Sequence, residues 1–345
     1  MRVVLHAGLH KSGTTSVQAA FRAGFPANGP VCYPAVDGAF NTGHARLVWP
    51  LMAATGTQAA AHPPDRTLAD LVRAAAARGA EAFVLSSEEL TRLGPADVDR
   101  LADALGGPAD VALVTVTPPA HRWAAAWAEI AKGGYPGRPA DALPHIAETM
   151  HLAEGALARY LALLPARRRM VRIVRTDPPE PELPGAVAAA LGLPLPARMY
   201  PVINTSTGTR AELSRRLSVA GLPARPDPDG LHARALDLLS PAWRPRPGRR
   251  HDAAAWRPPA WLGAAAAVER DFLRVPQDGL AVEDPHGLLP GWADARPPAW
   301  MTALAERCWW PPFREQPSAA EVRWLVRWYR VRRALGVRLH RAADR

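Results

Sequence analysis

Residues 2–18 constrain this chain more than any other stretch. Residues 2–5, Arg2 followed by an apolar stretch, read as a short buried strand. A loop with Gly8 and Gly13 follows, and a helical pattern opens at Thr14-Thr15-Ser16. Strand, glycine-bearing loop and helix start together compose an anion cradle. The first N–H groups of a helix have no intrahelical partner, and with the helix dipole they favour negative charge. Gly8 through Thr15 nearly meets the spacing G-x-x-x-x-G-K-[ST], but Thr14 stands where that pattern has lysine. The lysine is Lys11, two residues before Gly13. That displacement argues against an ordinary ATPase or GTPase. The plainer alternative is a Gly/Ser-rich strand–helix turn with no ligand.

Composition adds weight to Lys11. Of 42 Lys plus Arg residues only Lys11 and Lys132 are lysines, so arginine is the default cation and a lysine in the loop is the less casual choice. A compact ammonium suits an oxygen on which charge grows during group transfer. His6, Gly8, Lys11, Ser12, Gly13, Thr14, Thr15, Ser16 and Gln18 together resemble the phosphosulfate-binding loop of sulfotransferases, K-[ST]-G-T-[TS]. In the bacterial branch this loop often sits in H-x-G-x-x-K-T-G-T-T-S-x-Q. The resemblance implies an α/β fold, a three-layer sandwich with a central parallel sheet. It also implies 3′-phosphoadenosine 5′-phosphosulfate as co-substrate, no metal, and sulfuryl transfer to a hydroxyl or amine of a small-molecule or saccharide acceptor. Gly8, Lys11, Ser12, Gly13, Thr14, Thr15 and Ser16 would then hold the 5′-phosphosulfate.

At 345 residues the chain can bury a full α/β core and carry a subdomain or long insertions. With 48% hydrophobic and 21% charged residues it is expected to be globular. The net charge of +10 favours an anionic partner, unless it reflects arginines on a solvated surface. Cys32 and Cys308 offer neither a disulfide framework nor a metal cluster. No signal peptide and no apolar run of membrane-spanning length is legible, which leads to the expectation of a cytoplasmic protein. The organisation expected is a P-loop core over 1–220, a Pro/Trp/Arg-rich excursion with a core-closing segment over 221–295, and a basic helical tail over 296–345.

Along the chain, Thr15 to Arg22 reads as the first helix and Val31 to Pro34 as a short extended piece. A helical segment starts near Gly43. In sulfotransferase-like proteins of this type a Tyr-Pro precedes a histidine opening such a helix, so His44 resembles a position near the acceptor. A neutral imidazole there could take the acceptor's proton, or be a plain helix histidine. Leu68 to Ala77 reads as an amphipathic helix and Ala82 to Leu85 as a strand ending in Ser86-Ser87-Glu88-Glu89. Polar residues at a strand's carboxyl end lie where open α/β sheets bind ligands. Glu88 is therefore a candidate base, or else it opens the next helix near its positive end.

Val111 to Val116 is the best parallel-core run, and it leads through Thr117 into a helix ending at Lys132. In sulfotransferases this turn holds the donor's 3′-phosphate with an arginine at the strand end and a serine on the helix. Here those positions are Thr117 and Ala125. Arg122 could reach the phosphate instead, or its stem could lie along Trp123. Residues 140–164 read as one long helix or two, Arg167-Arg168-Arg169 as a basic turn, and Met170 to Val174 as a strand. Helices are expected over Gly185–Leu191 and Pro259–Leu273. Asn204 and Ser206 resemble the family's Asn-x-Ser-x-Gly ahead of a helix; they would bind the adenosine end or merely cap that helix. Leu280 to Pro290 resembles the run that closes the family core. Over 321–341 an apolar stripe opposes an arginine face, which suits docking on the body or peripheral contact with anionic lipid. No nucleic-acid-binding motif is legible. The departures at Thr117 and Ala125 also leave open a degenerate sulfotransferase fold that binds an anionic ligand or partner without catalysis.

Overall fold

The structure is a computed structural model that describes residues 1–36, 43–52, 65–132, 151–175, 180–195 and 260–295. All of these except 124–132 lie in one compact unit. The chain is α/β, with six parallel strands in the order β2-β3-β1-β4-β5-β6. The strands are β1 (Arg2–Gly8), β2 (Val31–Cys32), β3 (Ala82–Ser86), β4 (Ala109–Val116), β5 (Ala166–Ile173) and β6 (Leu280–Glu283). The described helices are α1 (Thr14–Gly24), α2 (Ala45–Val48), α3 (Leu68–Ala77), α4 (Pro95–Leu105), α5 (Pro119–Lys132), α6 (Ala156–Leu163), α7 (Leu183–Ala190) and α8 (Ala260–Arg274).

Largely apolar strands such as β1 and β4, buried along most of their length, are what a sheet covered on both faces requires. Alternate residues of each strand enter opposite cores. Val3, Leu5 and Ala7 join Leu101, Leu157 and Leu273 on one face, whereas Val4 joins Phe21 and Val187 on the other. Helices therefore cover both faces. Thr67 opens α3 with a reciprocal cap: its side chain accepts from Asp70 N–H and Asp70 accepts from Thr67 N–H.

The chain runs from β1 to β2 and β3 on one side, then crosses to β4, β5 and β6 on the other. The crevice at the carboxyl ends of β1 and β4 is thus the switch point at which open α/β sheets take ligands. Leu280–Glu283, from the expected core-closing segment, is one edge strand of the sheet, opposite β2. Two sequence expectations need correcting. The triplet Arg167-Arg168-Arg169 is not a turn but the start of β5: its backbone pairs with β4 and β6, Val111 opposite Arg168 and Arg169 opposite Leu280. Sheet pairing there overrides the polarity of the side chains. The α4 helix was not read at all; it starts at Pro95, with Asp97 accepting from Gly94 N–H at 2.9 Å. No helix among the described residues is long and apolar enough to cross a membrane. The 321–341 stripe lies outside the described residues.

Candidate anion-binding site

The loop between β1 and α1 is held by its neighbours before it can hold anything else. Gly8 pairs with Thr115 of β4, and Leu9 N–H donates to Thr115 O at 3.0 Å. Ser12 Oγ donates to Leu9 O at 2.6 Å and shares a 2.9 Å hydrogen bond with Thr115 Oγ1, while Ser12 N–H also returns to Leu9 O. Ser12 is fully buried. Ser12, expected among the residues that hold the 5′-phosphosulfate, therefore spends its hydroxyl on anchoring the loop to β4.

Gly8 is dictated by contact: a Cβ there would stand 2.0 Å from Thr14 Oγ1 and 2.8 Å from Thr115 Oγ1. Its absence lets the first residue of α1 settle onto the strand end. Gly13 takes φ +80 just ahead of the helix, and Ser16 N–H donates to its carbonyl at 3.0 Å. Lys11 adopts φ +70, which for a residue with Cβ costs about 1–2 kcal/mol. Such strain persists where the surroundings over-determine it and is typical of ligand clamps. Thr14 Oγ1 is buried and finds no hydrogen-bond partner among the described residues. Gly8, Lys11, Gly13, Thr14, Thr15 and Ser16 are thus gathered at the end of the central strand.

Beside the loop, β3 ends at Ser86 and a 3₁₀ turn, Glu88–Arg92, begins; Ser87 Oγ accepts from Glu89 N–H at 3.1 Å. Glu88 does open this turn, and its carboxyl also faces the loop. Burial pushes it above the usual carboxylate range, while the Lys11 ammonium and the Gln18 side chain draw it partly back. A lysine and a carboxyl therefore share one patch across the ends of adjacent strands.

His44 is placed differently from expectation. Its Nδ1 accepts from Ser86 N–H at 2.9 Å and its Nε2 donates to Pro34 O at 3.0 Å. The ring is buried and lies 4.2 Å from the Tyr33 ring. Both nitrogens are engaged, so no lone pair faces an acceptor. Burial lowers its pKa to about 4, and the ring is neutral. His44 braces the end of β3 and is not positioned as a base. His6 supports the same spot from β1, its Nδ1 2.8 Å from Ser86 Oγ.

The β4 end is also corrected. Arg122 of α5 is fully buried and forms a fork with Glu269 of α8, at 2.9 Å to Oε1 and 2.7 Å to Oε2. It also donates to Thr117 O at 2.6 Å. Its charge is matched within the protein, so it does not replace the missing phosphate arginine. Thr117 is buried, and its Oγ1 finds no partner among the described residues. Asn204 and Ser206 lie outside the described residues. Among those residues, no three His, Cys, Asp or Glu side chains group as metal ligands.

Sequence reasoning passed over His10 and His151. Both Nε2 atoms are buried without partners among the described residues, and each ring lies within electrostatic reach of the other. His10 was discoverable as the second histidine inside the loop, but nothing in the sequence marks His151. The fold and loop define an α/β protein with a parallel sheet and a glycine-bearing loop at the end of its central strand. No protein-family model matches the chain, and no curated protein or solved structure matches it.

Proposed function

We propose that this chain is a sulfotransferase-like enzyme moving a sulfuryl group from 3′-phosphoadenosine 5′-phosphosulfate to an acceptor hydroxyl or amine, and that it works in the cytoplasm. The observation carrying this reading is the strained glycine loop at the end of β1, with Lys11 at φ +70 within electrostatic reach of Glu88 beyond the end of the adjacent β3. The 5′ end of the donor fits: Gly8 leaves close approach open, the start of α1 points into the loop, and Thr14 Oγ1 awaits a partner. Residues 11, 13, 14, 15 and 16 would hold it, and it would supply the activated sulfuryl group. Lys11 would stabilise charge on the leaving oxygen, and Glu88 would take the acceptor's proton. A carboxyl raised by burial is a stronger base once ionised. His44 would keep the strand carrying Glu88 in register.

The bidentate pairing of Arg122 with Glu269 favours a second reading, in which the fold binds an anionic ligand or partner without catalysis. With Arg122 engaged and Thr117 at the strand end, no arginine in this turn reads a 3′-phosphate.

Calorimetric titration with 3′-phosphoadenosine 5′-phosphate and adenosine 5′-phosphate, without metal, tests both. The donor reading expects the bisphosphate to bind more tightly, and Lys11→Ala to weaken it about tenfold or more with an unchanged melting temperature. Equal binding of both nucleotides would favour the binding-protein reading. Unchanged affinity in Lys11→Ala would remove the loop from either. Binding that requires magnesium would point to an NTP-hydrolysing enzyme instead.

A further inference from the structure

Next to the loop lies a second group of buried polar atoms that the donor reading does not use. His10 Nε2, His151 Nε2, Tyr160 Oη and Thr117 Oγ1 are all shielded from solvent and find no hydrogen-bond partner among the described residues. Buried polar atoms are normally satisfied, and several unsatisfied ones in one neighbourhood call for a ligand. Their proximity is direct: the His151 and Tyr160 rings stack with centroids 5.1 Å apart, and Arg122 Nη2 donates to His151 O at 3.5 Å and Nη1 to Thr117 O. His10 follows Leu9, whose N–H is bound to the end of β4 two residues before Thr117. Lys11 and His151 are also the two non-glycine residues with positive φ among the described residues, +70 and +51, so strain brackets the same place.

We infer that His10, His151, Tyr160 and Thr117 form a binding station for a neutral, hydroxyl-rich ligand, a saccharide or other polyol, beside the Lys11 loop. Only for naming this ligand the acceptor does the inference rest on the donor reading above. The chemistry selects the class. The His151 ring bonds the Thr91 carbonyl; since its Nε2 has no partner, Nδ1 is the donor and Nε2 presents a lone pair. Tyrosine and threonine hydroxyls each donate and accept. Hydroxyls on a ligand can answer every one of these atoms. A carboxylate would set its own lone pairs against His151 Nε2, and an ammonium would meet Lys11 and Arg92 facing His10, and Arg159 facing His151. The nearest guanidinium, Arg122, is matched by Glu269. Both imidazoles are held near 4 by burial and by those cations, so they are neutral at pH 7.

The test uses the full chain with labelled histidine rings, the His10 and His151 signals being assigned with His10→Gln and His151→Asn. Asparagine tolerates the positive φ at 151. Glucose, sucrose and myo-inositol are titrated beside glucuronate and glucosamine, with affinities from calorimetry. The expected result is that at least one neutral polyol shifts both imidazole signals, and that Tyr160→Phe weakens it about fivefold with an unchanged melt, the loss of one neutral hydrogen bond. No shift with any neutral member, unchanged affinity in Tyr160→Phe, or tighter binding of glucuronate or glucosamine than of glucose, would overturn the inference. The Lys11→Ala variant separates the two readings: it should keep polyol binding while losing nucleotide. Polyol binding in a chain that binds no nucleotide would leave this station standing and the donor reading fallen.

Discussion

The ends of β1 and β4 lie side by side and both pass into a helix, yet they are finished in opposite ways. After β1 the chain leaves a cradle: glycine at the contact point, a strained lysine and a buried threonine hydroxyl without a partner. After β4 the guanidinium of Arg122 is matched from within by Glu269. The difference shows that a ligand-reading position is defined by whether its charge is matched inside the protein. Arg122 has the right side chain in the right turn, but its fork is filled. The loop that resembles a donor site therefore keeps its lysine and its glycines, while the neighbouring turn is a structural joint.

The joint gives the largest effect. Glu269→Ala leaves a buried guanidinium unmatched and should destabilise the protein by about 3–5 kcal/mol in urea denaturation. Replacing both partners, Arg122→Met with Glu269→Leu, should recover most of that loss, because the desolvation penalty of both charges disappears. If nucleotide affinity in this double variant also matches wild type, Arg122 has no ligand role. A bisphosphate-specific loss would contradict the closed-joint description.

Acid should separate the two ends next. His6 and His44, which brace β1 and β3 beside the loop, have pKa values lowered by burial to about 3 and about 4, against about 6.5 in an unfolded chain. Below pH 6.5 the unfolded state takes up protons that the folded state refuses. Their contribution is thus complete above 6.5 and is lost as pH falls towards 4 and 3. Glu88, raised by burial, acts with the opposite sign. His10 and His151, also lowered to about 4, act with the same sign as His6 and His44, so the net loss between pH 7 and pH 5 should be on the order of several kcal/mol. Hydrogen exchange locates it: amides at Ser86 and Ser87 should lose protection by pH 5 while those around Glu269 keep theirs. Uniform loss would mean that the histidines do not brace the loop side.

How much of this was legible follows from the kind of information involved. The strands β1, β3 and β4 and the helix α3 stood out because long apolar or amphipathic runs satisfy local and global demands together. Gly8 and Gly13 were legible because backbone approach and positive φ leave few alternatives to glycine. What was not legible depended on distant partners. The Arg167–Arg169 triplet looked like a turn until β6, more than 100 residues later, supplied a pairing edge. Arg122 and Glu269 are 147 residues apart. His44 read as a candidate base because only the fold shows both its nitrogens occupied, and the anchoring role of Ser12 was hidden because only the fold brings Thr115 to it.

Gly8→Ala tests the cradle with a single methyl. The added carbon must displace Thr14 or Thr115, an overpacking cost of about 1–3 kcal/mol, and α1 can no longer settle on the strand end. Chemical denaturation gives the stability loss, and anion affinity should fall with it. If Gly8→Ala binds nucleotide as wild type does, close approach at Gly8 is a packing feature alone.

The smallest effect on stability carries the sharpest contrast. Lys11 sits at φ +70, where a Cβ-bearing residue is strained and glycine is not. Lys11→Gly removes that strain, although glycine loses more chain entropy on folding. The two terms nearly cancel, so stability should lie between unchanged and about 1 kcal/mol higher. Anion affinity should nevertheless fall as far as in Lys11→Ala, because the ammonium is gone while the cradle is intact. A variant as stable as wild type but unable to bind would show that the chain tolerates strain at Lys11 for the sake of the charge it presents. A destabilised variant would mean that Lys11 is held by contacts worth more than its strain, which would move it from the ligand side of the comparison to the structural side, with Arg122.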